Sequence, residues 1–287
     1  MKVLVTGAAG LLGSHSVAAL ARAGHEVRAT DQRFSADLPV RLEPADLLDE
    51  HAIYPLVRGM DAVVHLGNHP NRFAGPSPQR LLAENVSMNA NVFFAALDSG
   101  VRRIVFASSI QVMLRSTLVR VEPHTLPYLP LDGDAPADPG DNPYAQSKQF
   151  GEEMLRLATT LHPDLRATVL RYPMLVGAQF LRRFEPFGGT VPAGMLHLGE
   201  ATAHLFYEDA AELVVHAVER QAAGYHQYLP AQTFEVKNLE VPKLVERFYS
   251  NVRRTRPLES IDTLIELASL EKDLGWKPAH RIEVAVL

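Results

Sequence analysis

The sequence predicts an α/β fold: a doubly wound, mostly parallel sheet, followed by a smaller C-terminal region. Three observations carry this. The short apolar run Val3-Leu4-Val5 breaks at a glycine-rich turn, and a helix-like stretch opens directly behind it. Segments of strand and helix character then alternate along the first half of the chain, which implies parallel strands joined by helical crossovers. The strand-like runs are apolar without alternation, as strands covered on both faces must be.

The elements follow in order. Residues 10–23 form a helix with Leu11, Leu12, Val17, Leu20 and Ala21 on one side, and residues 26–31 form a second strand. Together they have the size of one strand–helix–strand unit. Residues 62–66 (Ala-Val-Val-His-Leu) are a buried strand. Residues 78–99 are a long helix, with Leu81, Leu82, Val86, Val92, Phe93 and Leu97 giving the period and Gly100 its stop signal. Residues 103–107 are a strand, 144–161 a helix and 167–170 a strand. Between the last strand–helix pair lies an irregular stretch with Pro123, Pro127, Pro130, Pro136, Pro139 and Pro143. A long excursion of this kind in a compact domain is commonly functional, and it is expected over the carboxyl ends of the strands. Beyond Tyr172-Pro173 the pattern changes. Residues 208–220 are an amphipathic helix, and 242–249 and 264–274 are shorter ones. We therefore expect a nucleotide-binding domain over residues 1–172 and a partly interleaved substrate-binding region over 173–287.

Composition excludes several classes. The chain has 287 residues, 47% hydrophobic and 21% charged, so it has enough apolar matter for a core and is not disordered as a whole. A net charge of −5 gives no basic face for nucleic acid. The absence of cysteine removes disulfides, thiolate metal sites and thiol nucleophiles. Met1 to Val5 does not read as a secretory signal, and no apolar stretch reaches the roughly 18 residues of a membrane span. A cytoplasmic location is expected, with neither nucleic acid nor membrane as partner.

Gly7, Gly10 and Gly13 stand three apart at the strand–helix junction. Such glycines allow a tight turn, close approach to a pyrophosphate and close packing of helix on strand. The helix start adds free N–H groups and partial positive charge. Asp31 ends the second strand, where a carboxylate accepts from ribose hydroxyls and repels a 2′-phosphate. NAD is thus favoured, while Arg28 and Arg33 keep NADP open.

Tyr144 and Lys148 lie four apart on a helix and so share a face. A cation near a phenol favours the phenolate and fits the tyrosine for proton transfer. Ser108 and Ser109 follow a strand, at the end where ligands sit in such sheets.

At this point the chain resembles the extended short-chain dehydrogenase/reductases, the NAD-dependent epimerase/dehydratase family. The likeness rests on Thr6 to Gly13, Asp46-Leu47, His65-Leu66-Gly67, Asn85, Phe106 to Ser109, Pro143-Tyr144 through Lys148, and Leu274-Gly275-Trp276-Lys277-Pro278. The resemblance implies a Rossmann-type fold with Ser109, Tyr144 and Lys148 as catalytic trio. It places Gly7, Gly10, Leu11, Leu12, Gly13, Asp31, Tyr144 and Lys148 at the cofactor, Asp46-Leu47 beside the adenine, and Leu66-Gly67 along the cofactor backbone, with Asn85 steadying that last region. The expected substrate is a sugar or nucleotide sugar, epimerised through hydride transfer, and the expected assembly is a homodimer.

The chain departs from the family pattern at several points. Met113 and Leu114 replace a tyrosine and a glycine. Tyr172-Pro173-Met174 lacks the asparagine of nucleotide-sugar enzymes. Ile110-Gln111 stands where dehydrating members carry an acid pair, so dehydration is not expected. The chain also resembles uronate dehydrogenases of the same family, which makes oxidation of a free sugar acid the alternative activity. A non-catalytic NAD-binding regulator is the alternative of another class.

Asn68, His69, Arg171 and the Arg182-Arg183 pair are candidates to meet substrate, the arginines because guanidinium suits an anion. His65 and His69 straddle a strand end and find no third ligand for a metal site, so no metal is expected.

Overall fold

The structure is a computed structural model that describes residues 1–35, 37–70, 75–115 and 125–287. Its elements in chain order are β1 (Lys2–Thr6), α1 (Leu11–Arg22), β2 (Glu26–Asp31), β3 (Leu42–Pro44), α2 (Glu50–Val57), β4 (Ala62–His65), α3 (Pro78–Asp98), β5 (Arg103–Ser109), α4 (Pro143–Leu161), β6 (Arg166–Tyr172), β7 (Met174–Val176), α5 (Ala178–Leu181), β8 (Thr190–Val191), β9 (Ala203–Phe206), α6 (Tyr207–Arg220), β10 (Gly224–Tyr228), β11 (Gln232–Thr233), β12 (Glu235–Val236), α7 (Val241–Phe248), α8 (Ala268–Leu274) and β13 (Glu283–Val286).

Seven strands make one parallel sheet in the order β10-β6-β5-β4-β1-β2-β3. The apolar runs explain it. Val3, Leu4, Val5, Val63, Val64, Ile104 and Phe106 are buried, with one apolar cluster under α1 and α6 and another under α2, α3 and α4. Strand order reverses beside β1, which has β2 on one side and β4 on the other. In doubly wound sheets that reversal opens a crevice at the carboxyl ends, where ligands bind.

Helix ends follow local chemistry. Pro78 opens α3 behind a Ser77 cap, and Gly100 at φ +81° follows its end. Pro143 opens α4, and Asn142 Oδ1 accepts from the amides of Tyr144 and Ala145 at 3.1 and 3.4 Å.

Several elements differ from the sequence expectation. The helix expected over 264–274 starts only at Ala268, because Leu264–Glu266 is spent as backbone partner of Leu131: the Leu131 amide donates to Leu264 O, and the Glu266 amide to Leu131 O, both at 2.8 Å. The proline-rich excursion is packed rather than open. Leu126, Tyr128, Leu129, Leu131 and Ala135 are buried against the C-terminal region, while Pro123 lies outside the described residues. Strand β10 and helix α6 come from beyond residue 173 yet join the main sheet and its covering layer. Two three-stranded sheets, β11-β9-β7 and β12-β13-β8, build the rest of the C-terminal region. Among the described residues no helix is long and apolar enough to cross a membrane.

Candidate active site

The glycine turn sits at the strand reversal. Gly7 has φ +69°, and a Cβ there would stand 2.7 Å from the Gly67 nitrogen. The turn after β1 and the loop after β4 are therefore pressed together. At Gly13 a Cβ would come within 2.0 Å of Gly7 O, so α1 lies directly on the turn. Gly10 is the N-cap of α1 and has no side chain to bond its amides, which leaves the helix start open to an anion. Leu11 is exposed at this mouth, whereas Leu12 packs on the core.

Asp31 ends β2 and holds the turn. Its Oδ2 accepts from the Ala9 amide at 3.1 Å and its Oδ1 from the Arg33 amide at 2.9 Å, with the Arg33 guanidinium 3.6 Å away. Leu47 is buried, its Cδ1 within 2.5 Å of where a Gly67 Cβ would be. Asp46 is exposed and caps its own turn through the Leu48 amide at 3.0 Å. Leu66 is partly buried against the core.

Asn85 is fully buried. It accepts from the His69 amide at 2.8 Å and donates to Ser147 Oγ at 3.0 Å, tying the loop after β4 to α4. Asn68 accepts from Lys148 Nζ at 2.7 Å. The His69 ring turns to Glu84 Oε2, also at 2.7 Å.

Ser109, Tyr144 and Lys148 come together at the carboxyl end of β5, and all three are buried. The Ser109 and Tyr144 side chains lie near enough for the serine hydroxyl to act on the phenol. Lys148 Nζ donates to Ala107 O at 2.7 Å and lies 5.8 Å from the centre of the Tyr144 ring. The electrostatics differ from the sequence expectation. Burial pushes the Tyr144 phenol up to about 12; the Ser109 hydroxyl works against this, and the Glu200 carboxylate adds to it. Burial also brings Lys148 down to about 7, with Glu152 opposing. The desolvated amine is directed at Asn68 and Ala107, so the cation does not bring the phenol below its ordinary value.

Arg171 is buried and already fully partnered. Its guanidinium is paired with Glu152 (Nη2–Oε2 2.7 Å, Nε–Oε1 3.0 Å), and Nη1 donates to Gly133 O at 3.0 Å and Ala135 O at 2.6 Å. It is spent on pinning the excursion across the end of β6. Arg182 and Arg183 are exposed; Arg183 lies 5.2 Å over the Phe180 ring.

Other contacts of the site are not legible in the sequence, although Thr6, His65 and Gln111, which take part in them, are among the residues read from it. The buried ring of His65 is bonded at Nδ1 to Thr6 Oγ1 (2.7 Å) and at Nε2 to Asn89 Oδ1 (3.0 Å). Because Asn89 Oδ1 only accepts, Nε2 carries the hydrogen and the Thr6 hydroxyl donates to Nδ1. Thr6 Oγ1 in turn accepts from the Gly67 amide at 3.2 Å. Gln111 accepts from Asn142 Nδ2 at 2.9 Å and reaches toward Glu200 with its Nε2 at 3.4 Å. The strand position of His65 was legible, but its partners lie on other elements.

The arrangement suits a dinucleotide. The glycine cradle has no room for a Cβ at Gly7, Gly13 or Gly67, the α1 start is uncapped, and the buried Asn68 Nδ2 has no partner among the described residues.

Residues 3–236 match the NAD dependent epimerase/dehydratase family, and the chain belongs to that family. It is 31% identical over 200 residues to the UDP-glucose 4-epimerase of Bos taurus, across 62% of this chain and 54% of that protein. The chain thus spans about half the length of that epimerase. It is 32% identical over 242 residues to a 3-diazoavenalumate denitrifying reductase of Streptomyces sp, covering 78% of this chain and 74% of that one. Similarity to the uronate dehydrogenase of Agrobacterium fabrum is 34% over 163 residues, covering 54% and 55%. A solved UDP-galactose 4-epimerase superposes over 98% of this chain and 94% of its own, with TM-score 0.68 at 23% identity, which shows the Rossmann-like fold.

Proposed function

We propose that this member of the epimerase/dehydratase family is an NAD-dependent oxidoreductase acting on a sugar or nucleotide sugar. One observation carries the reading: Ser109, Tyr144 and Lys148 share a buried corner at the end of β5, on the sheet edge that also carries the glycine cradle.

In this reading Gly7, Gly10, Gly13 and the start of α1 hold the pyrophosphate, Asp31 the adenosine ribose, Asp46 and Leu47 flank the adenine, and Leu66 and Gly67 run past the cofactor backbone, braced by Asn85. NAD, when bound there, would supply the hydride acceptor for oxidation of a substrate carbon and, for an epimerisation, the hydride donor for the reverse step. Tyr144 takes the proton of the substrate hydroxyl as that carbon is oxidised. Ser109 holds the hydroxyl oxygen beside Tyr144. Lys148 would hold the nicotinamide-side ribose beside Tyr144. Burial excludes water from the proton transfer. Residues 173–287 supply the substrate pocket and residues 1–172 the cofactor platform.

The same residues support oxidation of a free sugar acid, in which the ketone or lactone product leaves. Similarity to a uronate dehydrogenase and the exposed Arg182 and Arg183, suited to a carboxylate, favour this second reading.

A panel of nucleotide sugars and free uronic acids with NAD tests both. Interconversion without net NADH identifies the epimerase, and NADH rising in step with product identifies the dehydrogenase. No turnover across the panel refutes both and leaves a non-catalytic NAD-binding protein. The assembly proposed is a homodimer through α3 and α4, supported by the exposed Phe94, Phe150, Leu157 and Leu161.

A further inference from the structure

The two ends of the Asn68 amide differ in their partners. Oδ1 accepts from Lys148 Nζ at 2.7 Å, while Nδ2 is buried without a partner among the described residues. An ammonium has three hydrogens to donate and nothing to accept with. Asn68 Oδ1 and Ala107 O each take one, both at 2.7 Å, over the Phe106 ring 4.9 Å away. One hydrogen is left to point elsewhere. The backbone that carries this side chain is held in place, because the next amide, that of His69, donates to Asn85, which in turn is bonded to Ser147 on α4. A carboxamide in this place directs the ammonium without neutralising it, as a carboxylate would. A buried donor left unsatisfied is destabilising, so Nδ2 is a group prepared for an acceptor.

We propose that Asn68 is a positioning residue for Lys148: its Oδ1 aims the ammonium, and its Nδ2 is a hydrogen-bond donor held for an oxygen of the bound cofactor. The second half rests on the NAD-dependent reading above; the first does not. The charged and titratable groups facing Lys148 are Tyr144 and Glu152 on its own helix and His65 from β4, with Arg171 of β6 already paired to Glu152.

The test needs no turnover. The lysine Nζ signals of the full-length, 15N-labelled protein without cofactor are followed by NMR from about pH 5 to about pH 10. Asn68→Asp keeps the shape and places an anion on the ammonium, so the Lys148 titration should move up by about one pH unit or more. Asn68→Ala removes the acceptor and should move it down. Unchanged titration in both variants overturns the positioning role. If Asn68→Ala does not fold, the isosteric Asn68→Asp carries this arm alone. Calorimetric titration with NAD tests the donor, and loss of one such bond predicts a Kd raised about tenfold in Asn68→Ala. A Kd at the wild-type value overturns that half. Should wild-type protein bind no NAD, the oxidoreductase reading fails, while the Lys148 titration still decides the positioning role.

Discussion

Glu152 and Arg171 form an ion pair 2.7 Å long in which both side chains are almost wholly removed from water, at 4% and 3% exposure. Every strong group in it is occupied. Ser108 donates to Glu152 Oε1 at 2.5 Å, and Arg171 also takes the carbonyls of Gly133 and Ala135. Removing one partner strands a buried charge. Glu152→Leu and Arg171→Met are each expected to lower stability by about 3–5 kcal/mol in urea unfolding, and the double variant Glu152→Leu/Arg171→Met by less than the sum. Additive losses would mean that the pair is not the unit described.

That pair also marks where the sequence stops being informative. Gly7 to Gly13 and Tyr144 to Lys148 were legible because each motif is local, set by one turn or one helix face. Arg171 read as a strand-end charge free for substrate, since nothing in residues 166–172 announces a carboxylate on α4 or carbonyls at 133 and 135. Strand β10 and the truncated start of α8 were illegible for the same reason: both are decided by pairing with distant segments, β6 and Leu131. His65 could be assigned to a strand, but its link from Thr6 to Asn89 exists only after folding.

Tyr144→Phe removes the proton acceptor and keeps the ring. Turnover should fall by at least about a hundredfold, with NAD affinity near wild type. Steady-state assays paired with NAD titration check this. Equal activity in the variant would remove Tyr144 from the chemistry.

The three glycines should separate under substitution. Gly13→Ala drives a methyl into Gly7 O, and Gly7→Ala meets Gly67 at a positive φ; both should lower the thermal midpoint and abolish NAD binding. At Gly10 the nearest atom to a Cβ is Gly7 O at 3.1 Å, and the next, the Arg33 guanidinium, is 3.8 Å away. Gly10→Ala should therefore fold almost normally and still weaken NAD binding, because its methyl faces the phosphate approach. A variant of Gly10 that binds NAD as tightly as wild type would place the pyrophosphate elsewhere.

Stability should depend on pH through His65. Burial and the neighbouring Lys148 hold its native pKa at about 3, against 6.5 in the unfolded chain. Between those values the unfolded state takes up a proton that the folded state refuses, so stability falls as pH drops from about 6.5. The slope contributed is about 1.4 kcal/mol per pH unit. Lys148 acts in the same direction higher up. Its native pKa of about 7 lies below the ordinary 10.5, so stability rises with pH across that window. Urea unfolding from about pH 7 down to about pH 4 should show the first slope, and His65→Gln should flatten it.

Phe150, Leu157 and Leu161 recur on one outward stripe of α4, at 47, 56 and 77% exposure, and Phe94 projects from the adjoining α3 at 59%. None of the four supports the chain's own core, so their cost in a monomer is exposed apolar area on two neighbouring helices. A second copy applying the same stripes would bury it, in the self-complementary manner of a twofold dimer, and a stable interface needs about 800 Å² from each partner. Sedimentation velocity should show a dimer for the wild type. The double variant Phe150→Ser/Leu157→Glu should sediment as a monomer with an unchanged circular dichroism spectrum, because both side chains leave the core untouched. A wild type that stays monomeric at about micromolar concentration would assign these helices to solvent and withdraw the dimer, without touching the chemistry at Tyr144.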